Sequence, residues 1–332
     1  MRLEAFSEGK DPAHPEANED RFVVLPGRAY AVIDGVTDRL GTRYDGMLAG
    51  QYGAVLVKEA LEEMLGRRGA APADARELVP ALNAVIADAY GRHGNLERAR
   101  GDCNFRFSAT LALVLERGDA FELLLIGDSG VRLGVTRDIR VDKDLDRITA
   151  TSRRQAWAVI ARRTEDPALR ETVSRRVTWG GTRQAASEFA GVLDAEDLVT
   201  IEAAAIAANL SALPHLSRGD IAGLVQGGII HAQGGHQNNP HSALGYSCLD
   251  GFDVPLQFVH HERVSRAGIA SIELYSDGYF KGGDGFGVDA WERAFREVEA
   301  EDPAKIGAHA SVKGTIGALK ADDRTHLGIA WR

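Results

Sequence analysis

Cysteine is nearly absent: Cys103 and Cys248 are the only two in 332 residues. Two thiols make neither a disulfide framework nor a metal-binding cluster, and both read as buried packing residues in a reducing compartment. Positive charge is also short. Against 48 Asp and Glu stand 39 Lys and Arg, a formal net charge of -9 at pH 7. Nucleic acid and anionic membrane are both bound mostly through clustered Lys and Arg, so neither is expected as the main partner. No apolar run approaches the roughly 20 residues that span a bilayer. The opening MRLEAFSEGKDPAHPEANED holds no apolar signal core, so a cytoplasmic location is expected. Internal repeats and low-complexity tracts are missing too. What is present is a 44% hydrophobic chain, long enough to bury a large core as one big domain or two ordinary ones.

The pattern along the chain predicts an α+β fold. RFVVL (21–25) and AYAVID (29–34) read as strands joined at Pro26-Gly27, and 46–65 and 75–90 carry helical periodicity. FSATLALVLE (107–116), AFELLLIGD (120–128) and VRLGV (131–135) read as a meander with short turns, hence antiparallel. Residues 145–245 are rich in Ala, Arg and Leu at helical spacing and end in the Gly, His and Asn rich 226–247, a helical insertion with a loop-like end. Strands return at 254–261 and 271–278, helices at 289–301 and 303–319, and a last strand at 325–332. Strands near both chain ends imply one sheet system, antiparallel sheets covered by helix pairs.

Acidic residues recur where strands begin or end. Glu19 and Asp20 open the first strand, Asp34 closes the second, Asp128 and Asp277 each close a later one, and Asp322 and Asp323 precede the last. One Asp before Gly or Ser is a routine turn residue. The joint pattern says more: carboxylates gathered at one sheet edge repel unless a multivalent cation neutralises them, and an oxygen-only donor set suits Mg²⁺ or Mn²⁺ rather than zinc.

Taken in chain order, NEDRF (18–22), AVIDGVT (31–37), SATLALVL (108–115), IGDSGVRL (126–133), SALG (242–245), YSDGYF (275–280) and DDRTHLGIAW (322–331) resemble the metal-dependent protein phosphatases of the type 2C class, in their bacterial form. The resemblance covers nearly the whole chain except the helical middle. It implies a four-layer α/β/β/α sandwich, with two central antiparallel sheets and a helical insertion. Residues 1–332 would then be a single catalytic domain, with 145–245 a flap-like subdomain. By motif position, Asp34 is implied to bridge two Mg²⁺ or Mn²⁺ ions, with the Gly35 carbonyl on one. Asp277 and Asp322 are implied as ligands of the second, Glu19 as a ligand through water, Asp20 as the hydrogen-bond partner of the attacking water, and Asp128 as a contributor to a third ion. The implied chemistry is direct attack on phosphorus by a hydroxide bridging two cations about 4 Å apart. The implied substrate is a phosphoserine or phosphothreonine protein.

Three positions depart from the family pattern. Pro15 stands where an Arg commonly grips phosphate, Val36 where a His is the proposed general acid, and Lys281 where an acidic residue is frequent. An ammonium at 281 beside Asp128 would disfavour a third cation. Arg43, Arg132 and His236 are the candidate replacement contacts for phosphate. His231, His236 and His241 lack a nearby Cys and regular spacing, so they read as loop residues rather than a zinc site. GGDGFG (282–287) lacks the Lys-Ser/Thr ending of a phosphate loop and reads as a tight turn. Two other functions fit these departures: a catalytically weak, phosphatase-like module that binds phosphoproteins, and a phosphatase for small phosphomonoesters.

Overall fold

A computed structural model describes residues 1–37, 39–67, 71–189 and 191–331, which leaves the final residue of the expected last strand outside the described set. The chain forms β1 (Arg2–Glu8), β2 (Arg21–Leu25), β3 (Ala29–Gly35), β4 (Arg43–Tyr44), β5 (Met47–Leu48), α1 (Ala49–Leu65), α2 (Leu78–Arg92), α3 (Leu96–Gly101), β6 (Ala109–Arg117), β7 (Ala120–Ile126), β8 (Gly130–Leu133) and β9 (Arg137–Ile139). There follow α4 (Asp144–Ile160), α5 (Pro167–Glu188), α6 (Ala195–Ala212), α7 (Arg218–His231), β10 (His260–Ser265), β11 (Ser271–Tyr275), α8 (Val288–Glu301) and β12 (Arg324–Ala330). Two compact units result. One comprises 1–141, 246–297 and 322–332, the other 142–245 and 298–321.

The first unit is built on two antiparallel sheets, ordered β1-β12-β11-β8-β9 and β10-β7-β6-β3-β2. Side chains alternate across a strand, so a strand buried on both faces must be apolar throughout. The central strands obey this. Tyr30, Val32, Ala112, Val114, Leu123 and Leu125 pack with Ile272, Leu274, Leu327 and Ile329 of the other sheet. The intervening Ala31, Ile33, Leu111, Leu113, Leu124 and Ile126 pack with Leu61, Leu82 and Ile86 of α1 and α2. On the outer face of the β12-β11-β8 sheet, Trp291 and Phe295 of α8 pack with Tyr275 and Tyr279. The unit is therefore helix, sheet, sheet, helix.

Under α8 lies a buried ionic knot. Glu273 accepts hydrogen bonds from Trp291 Nε1 (2.8 Å), the Gly287 amide (2.9 Å) and Arg132 Nε (2.9 Å), with His326 Nε2 at 3.0 Å. Burial would raise the Glu273 carboxyl, but its donors hold it below its usual range. Arg132 also donates to the carbonyls of Gly283 (2.5 Å) and Gly285 (2.6 Å) and is only 5% exposed. The expectation that Arg132 grips substrate phosphate is corrected: its guanidinium is consumed in holding the α8 connection. Because removing one partner of a buried pair strands the other, Arg132→Met should cost about 3–5 kcal/mol in urea unfolding. A loss below about 1 kcal/mol would contradict this structural role.

In the second unit, Ala156 and Ile160 of α4, Val173 and Val177 of α5 and Ile201 of α6 form a shared core. Residues 303–319, expected as a helix, form a loop in which Lys305 takes a positive φ of 51°. The groups a helix would pair internally are taken by two ionic side chains. Arg153 donates to the carbonyls of Ala304, Lys305 and Ser311, and the Asp302 carboxylate accepts from the amides of Ile306, Gly307 and His309. The expected strand at 254–261 likewise begins only at His260, after a 3₁₀ turn at Leu256–Phe258. Among the described residues, no helix is long and apolar enough to cross a membrane.

Candidate metal centre

Topology brings the acidic residues to one edge of the first unit. β3 and β7 both run antiparallel to β6, so their C-terminal ends, carrying Asp34 and Asp128, lie on the same side. β2 runs antiparallel to β3, which puts the start of β2, preceded by Glu19 and Asp20, beside the end of β3. In the second sheet β11 ends, before Asp277, where antiparallel β12 begins after Asp322 and Asp323. The two edges meet. Ser276 Oγ donates to Asp20 Oδ2 at 2.6 Å and accepts from the Thr325 amide at 2.8 Å, tying the end of β11 to the starts of β2 and β12.

Two groups form there. Asp34, Asp128 and Asp277 each offer a carboxylate oxygen within 4.8 Å of the others. Burial, then the charges of Asp277, Asp20, Asp128 and Asp322, push the Asp34 carboxyl well above the ordinary range. Beside them, Glu19, Asp322 and Asp323 surround Lys10, whose Nζ lies 2.7, 3.4 and 3.1 Å from their respective oxygens. Burial alone would lower the Lys10 ammonium, but Asp322, Glu19 and Asp323 outweigh it and hold it well above the usual lysine range. Asp323 also accepts from the amides of Lys10 (2.6 Å) and Glu19 (3.2 Å), closing the loop onto the start of β12.

The residues fit a divalent cation at the Asp34, Asp128 and Asp277 group. Its donors are all carboxylate oxygens, the set that hard cations take. Asp20 Oδ1 is buried and has no hydrogen-bond partner within 3.5 Å among the described residues, although Asp20 Oδ2 is held by Ser276. The backbone is cut away beside the cluster. A Cβ on Gly35 would come within 2.3 Å of the Gly50 carbonyl oxygen, and one on Gly50 within 2.6 Å of Glu19 Oε1. Glycine is required at both positions by this close approach.

Burial, then the charge of Asp323, push the Asp20 carboxyl up from 3.8 to about 7. Because its pKa in the fold lies above the unfolded value, its contribution to stability is complete below about pH 4 and is lost as pH rises to about 7. In EDTA, the melting temperature of wild type should therefore fall relative to Asp20→Asn across that window and run parallel above it. A difference that stays constant from pH 4 to pH 7 would contradict the raised pKa.

The remaining expected residues fall as follows. Arg43, on β4, is exposed and donates to the Gly46 carbonyl at 2.8 Å. His236 belongs to the second unit, where Nδ1 lies 2.7 Å from Ser242 Oγ. Lys281 pairs with Glu297 of α8 at 2.8 Å, and both are half exposed. Lys10 was not expected at the site: it belongs to no motif, and it reaches the cluster only because the Gly9-Lys10 turn is pinned by Asp323. A second acidic group, Asp74, Glu122 and His261, has its ligand atoms equally close. There Arg76 and Arg117 already neutralise Asp74 and Glu122, at 2.5 and 2.6 Å.

No family model matches the sequence, and no curated protein matches it. Solved structures to which the chain is similar include the Mycobacterium tuberculosis serine/threonine phosphatase PstP/Ppp, at 19% identity over 98% of this chain and 97% of that one, with a TM-score of 0.45. The catalytic domain of PstP in complex with 2 manganese ions matches at 16% identity over 98% and 96%, with a TM-score of 0.44. Serine/threonine phosphatase Stp1 from Staphylococcus aureus matches at 10% identity over 100% and 95%, with a TM-score of 0.45. At these identities and scores the likeness assigns no role to any residue.

Proposed function

We propose that this chain is a metal-dependent phosphomonoesterase that removes phosphate from phosphoserine and phosphothreonine in proteins. What supports it is the meeting of Asp34, Asp128 and Asp277, drawn from the ends of three strands in two sheets, with their ligand oxygens within 4.8 Å. Mg²⁺ or Mn²⁺ bound there, two ions in the full centre, would acidify a water and offset charge on the phosphoryl oxygens. The chain's own residues do the rest. Asp34, Asp128 and Asp277 would hold the cation by charge, Glu19 and Asp322 would extend the donor set, and the Gly35 carbonyl would add a neutral oxygen. Asp20, oriented by Ser276, would accept a proton from the attacking water. The cytoplasm is the proposed compartment, in keeping with two cysteines that form no disulfide.

Phosphate release from p-nitrophenyl phosphate and from a phosphoserine peptide, with Mn²⁺, with Mg²⁺ and with EDTA, tests this reading. Turnover with metal that EDTA abolishes is the expected result, and no turnover of either substrate with any metal would oppose it. Turnover of the small ester alone would favour the small-phosphomonoester reading. Lys10 inside the carboxylate cluster favours a second reading, a phosphoprotein-binding module of weak activity. Peptide binding without phosphate release would identify that module.

A further inference from the structure

One half of the carboxylate cluster holds a cation supplied by the chain itself. Lys10 Nζ donates to Glu19 Oε2 at 2.7 Å and to Asp323 Oδ2 at 3.1 Å, and reaches Thr37 Oγ1 at 3.3 Å and Asp322 Oδ1 at 3.4 Å. Most lysines extend into water, but this side chain is only 21% exposed. Its backbone is held independently, since the Lys10 amide donates to Asp323 Oδ1 at 2.6 Å. The ammonium thus occupies the donor set formed by Glu19, Asp322 and Asp323, beside the Asp34, Asp128 and Asp277 group.

We propose that Lys10 is a built-in competitor for the second divalent cation, so that the chain loads one ion tightly at Asp34, Asp128 and Asp277 and a second only when the ammonium withdraws from Glu19, Asp322 and Asp323. This rests on the reading above that the first group holds a metal. The competition is direct. Carboxylate oxygens sit about 2.0–2.6 Å from Mg²⁺ or Ca²⁺ when ligating, and the same lone pairs are here directed at an ammonium. A divalent ion in that seat would also be repelled by the Lys10 charge. Withdrawal breaks contacts to carboxylates beside strands of both sheets, yet the backbone bond to Asp323 leaves the loop in place. The apparent affinity of the second ion is reduced by the fraction of time the seat is open. The working metal content of the centre is then set by metal concentration, and a one-ion form persists when metal is scarce.

Calorimetric titration of Mn²⁺ into metal-free wild type, Lys10→Met and Lys10→Arg, with thermal unfolding of each in EDTA, tests the inference. Wild type should bind one ion tightly and a second at least about tenfold more weakly. Lys10→Met, which keeps the backbone bond, should bind the second ion at least about tenfold more tightly than wild type does. Its metal-free melting temperature should fall, because three carboxylates lose their counter-charge, and Mn²⁺ should raise it by more than it raises wild type. Lys10→Arg, which keeps the charge, should resemble wild type. If the Met variant is not folded without metal, Lys10→Gln serves in its place. A second site unchanged or weakened in the neutral variant would overturn the inference and leave the first metal group standing. Absence of Mn²⁺ binding to all variants would overturn the inference and the metal reading together.

Discussion

Asp34→Asn should abolish metal-dependent phosphate release, by roughly a thousandfold or about 4 kcal/mol of barrier, while making the metal-free protein more stable. Both effects have one origin. Asp34 stands where the carboxylates of Asp128 and Asp277 converge, and burial together with Asp277, Asp20, Asp128 and Asp322 pushes its carboxyl well above the ordinary range. Without metal, the fold carries this repulsion uncompensated at neutral pH. An amide removes the charge at nearly constant shape, so the metal-free fold relaxes, but a neutral oxygen holds a hard cation far less well than an anionic one. Phosphate release at saturating Mn²⁺ and melting temperature in EDTA check the pair. Retained activity, or a variant that melts lower than wild type in EDTA, would contradict the role given to Asp34.

Rates should depend steeply on the leaving group, with aryl phosphates outrunning alkyl phosphates by orders of magnitude. The residue after Gly35 is Val36, whose amide donates to the Ser108 carbonyl at 2.9 Å and whose side chain carries no proton to give. Two donors close to Val36 among the described residues, Thr37 and Lys10, are poor substitutes. Thr37 Oγ1 donates to Glu19 Oε2 at 3.0 Å, and the Lys10 ammonium is held well above its usual pKa by its carboxylates, which makes it a weak acid. Departing negative charge is then offset only by metal or water, and general-acid help worth roughly 10²–10⁴-fold is missing. A series of phosphomonoesters graded by leaving-group pKa, measured where chemistry limits the rate, would check this. A flat series would show that an acid elsewhere on the chain protonates the leaving oxygen.

The parts of the molecule legible in its sequence are those where one force dominates. β6 and β7 read as apolar runs because both their faces are buried, and β3 and β11 are legible as buried stretches that lead into Asp34-Gly35 and Asp277. The Glu19-Asp20 and Asp322-Asp323 pairs were readable as strand-end acids, but their division of labour was not. Asp323 turns out to close the Gly9-Lys10 loop through its side chain, a contact between residues 313 apart that no local pattern encodes. β1 is not legible in the sequence because it is an edge strand with mostly exposed side chains, paired with β12. The structural role of Arg132 is not legible in the sequence because its partner Glu273 lies on another strand, 141 residues away. Likewise 303–319 has helical spacing, but its backbone is claimed by Arg153 and Asp302.

A divalent cation at one sheet edge is the centre of the proposed chemistry. Crystals of the wild-type protein grown or soaked with millimolar Mn²⁺ and measured for anomalous scattering test that directly. The expected result is a manganese peak in coordination contact with carboxylate oxygens of Asp34, Asp128 and Asp277, lost in Asp34→Asn crystals of the same form. An empty map at those three residues, or manganese bound only elsewhere, such as between Asp74, Glu122 and His261, would contradict it.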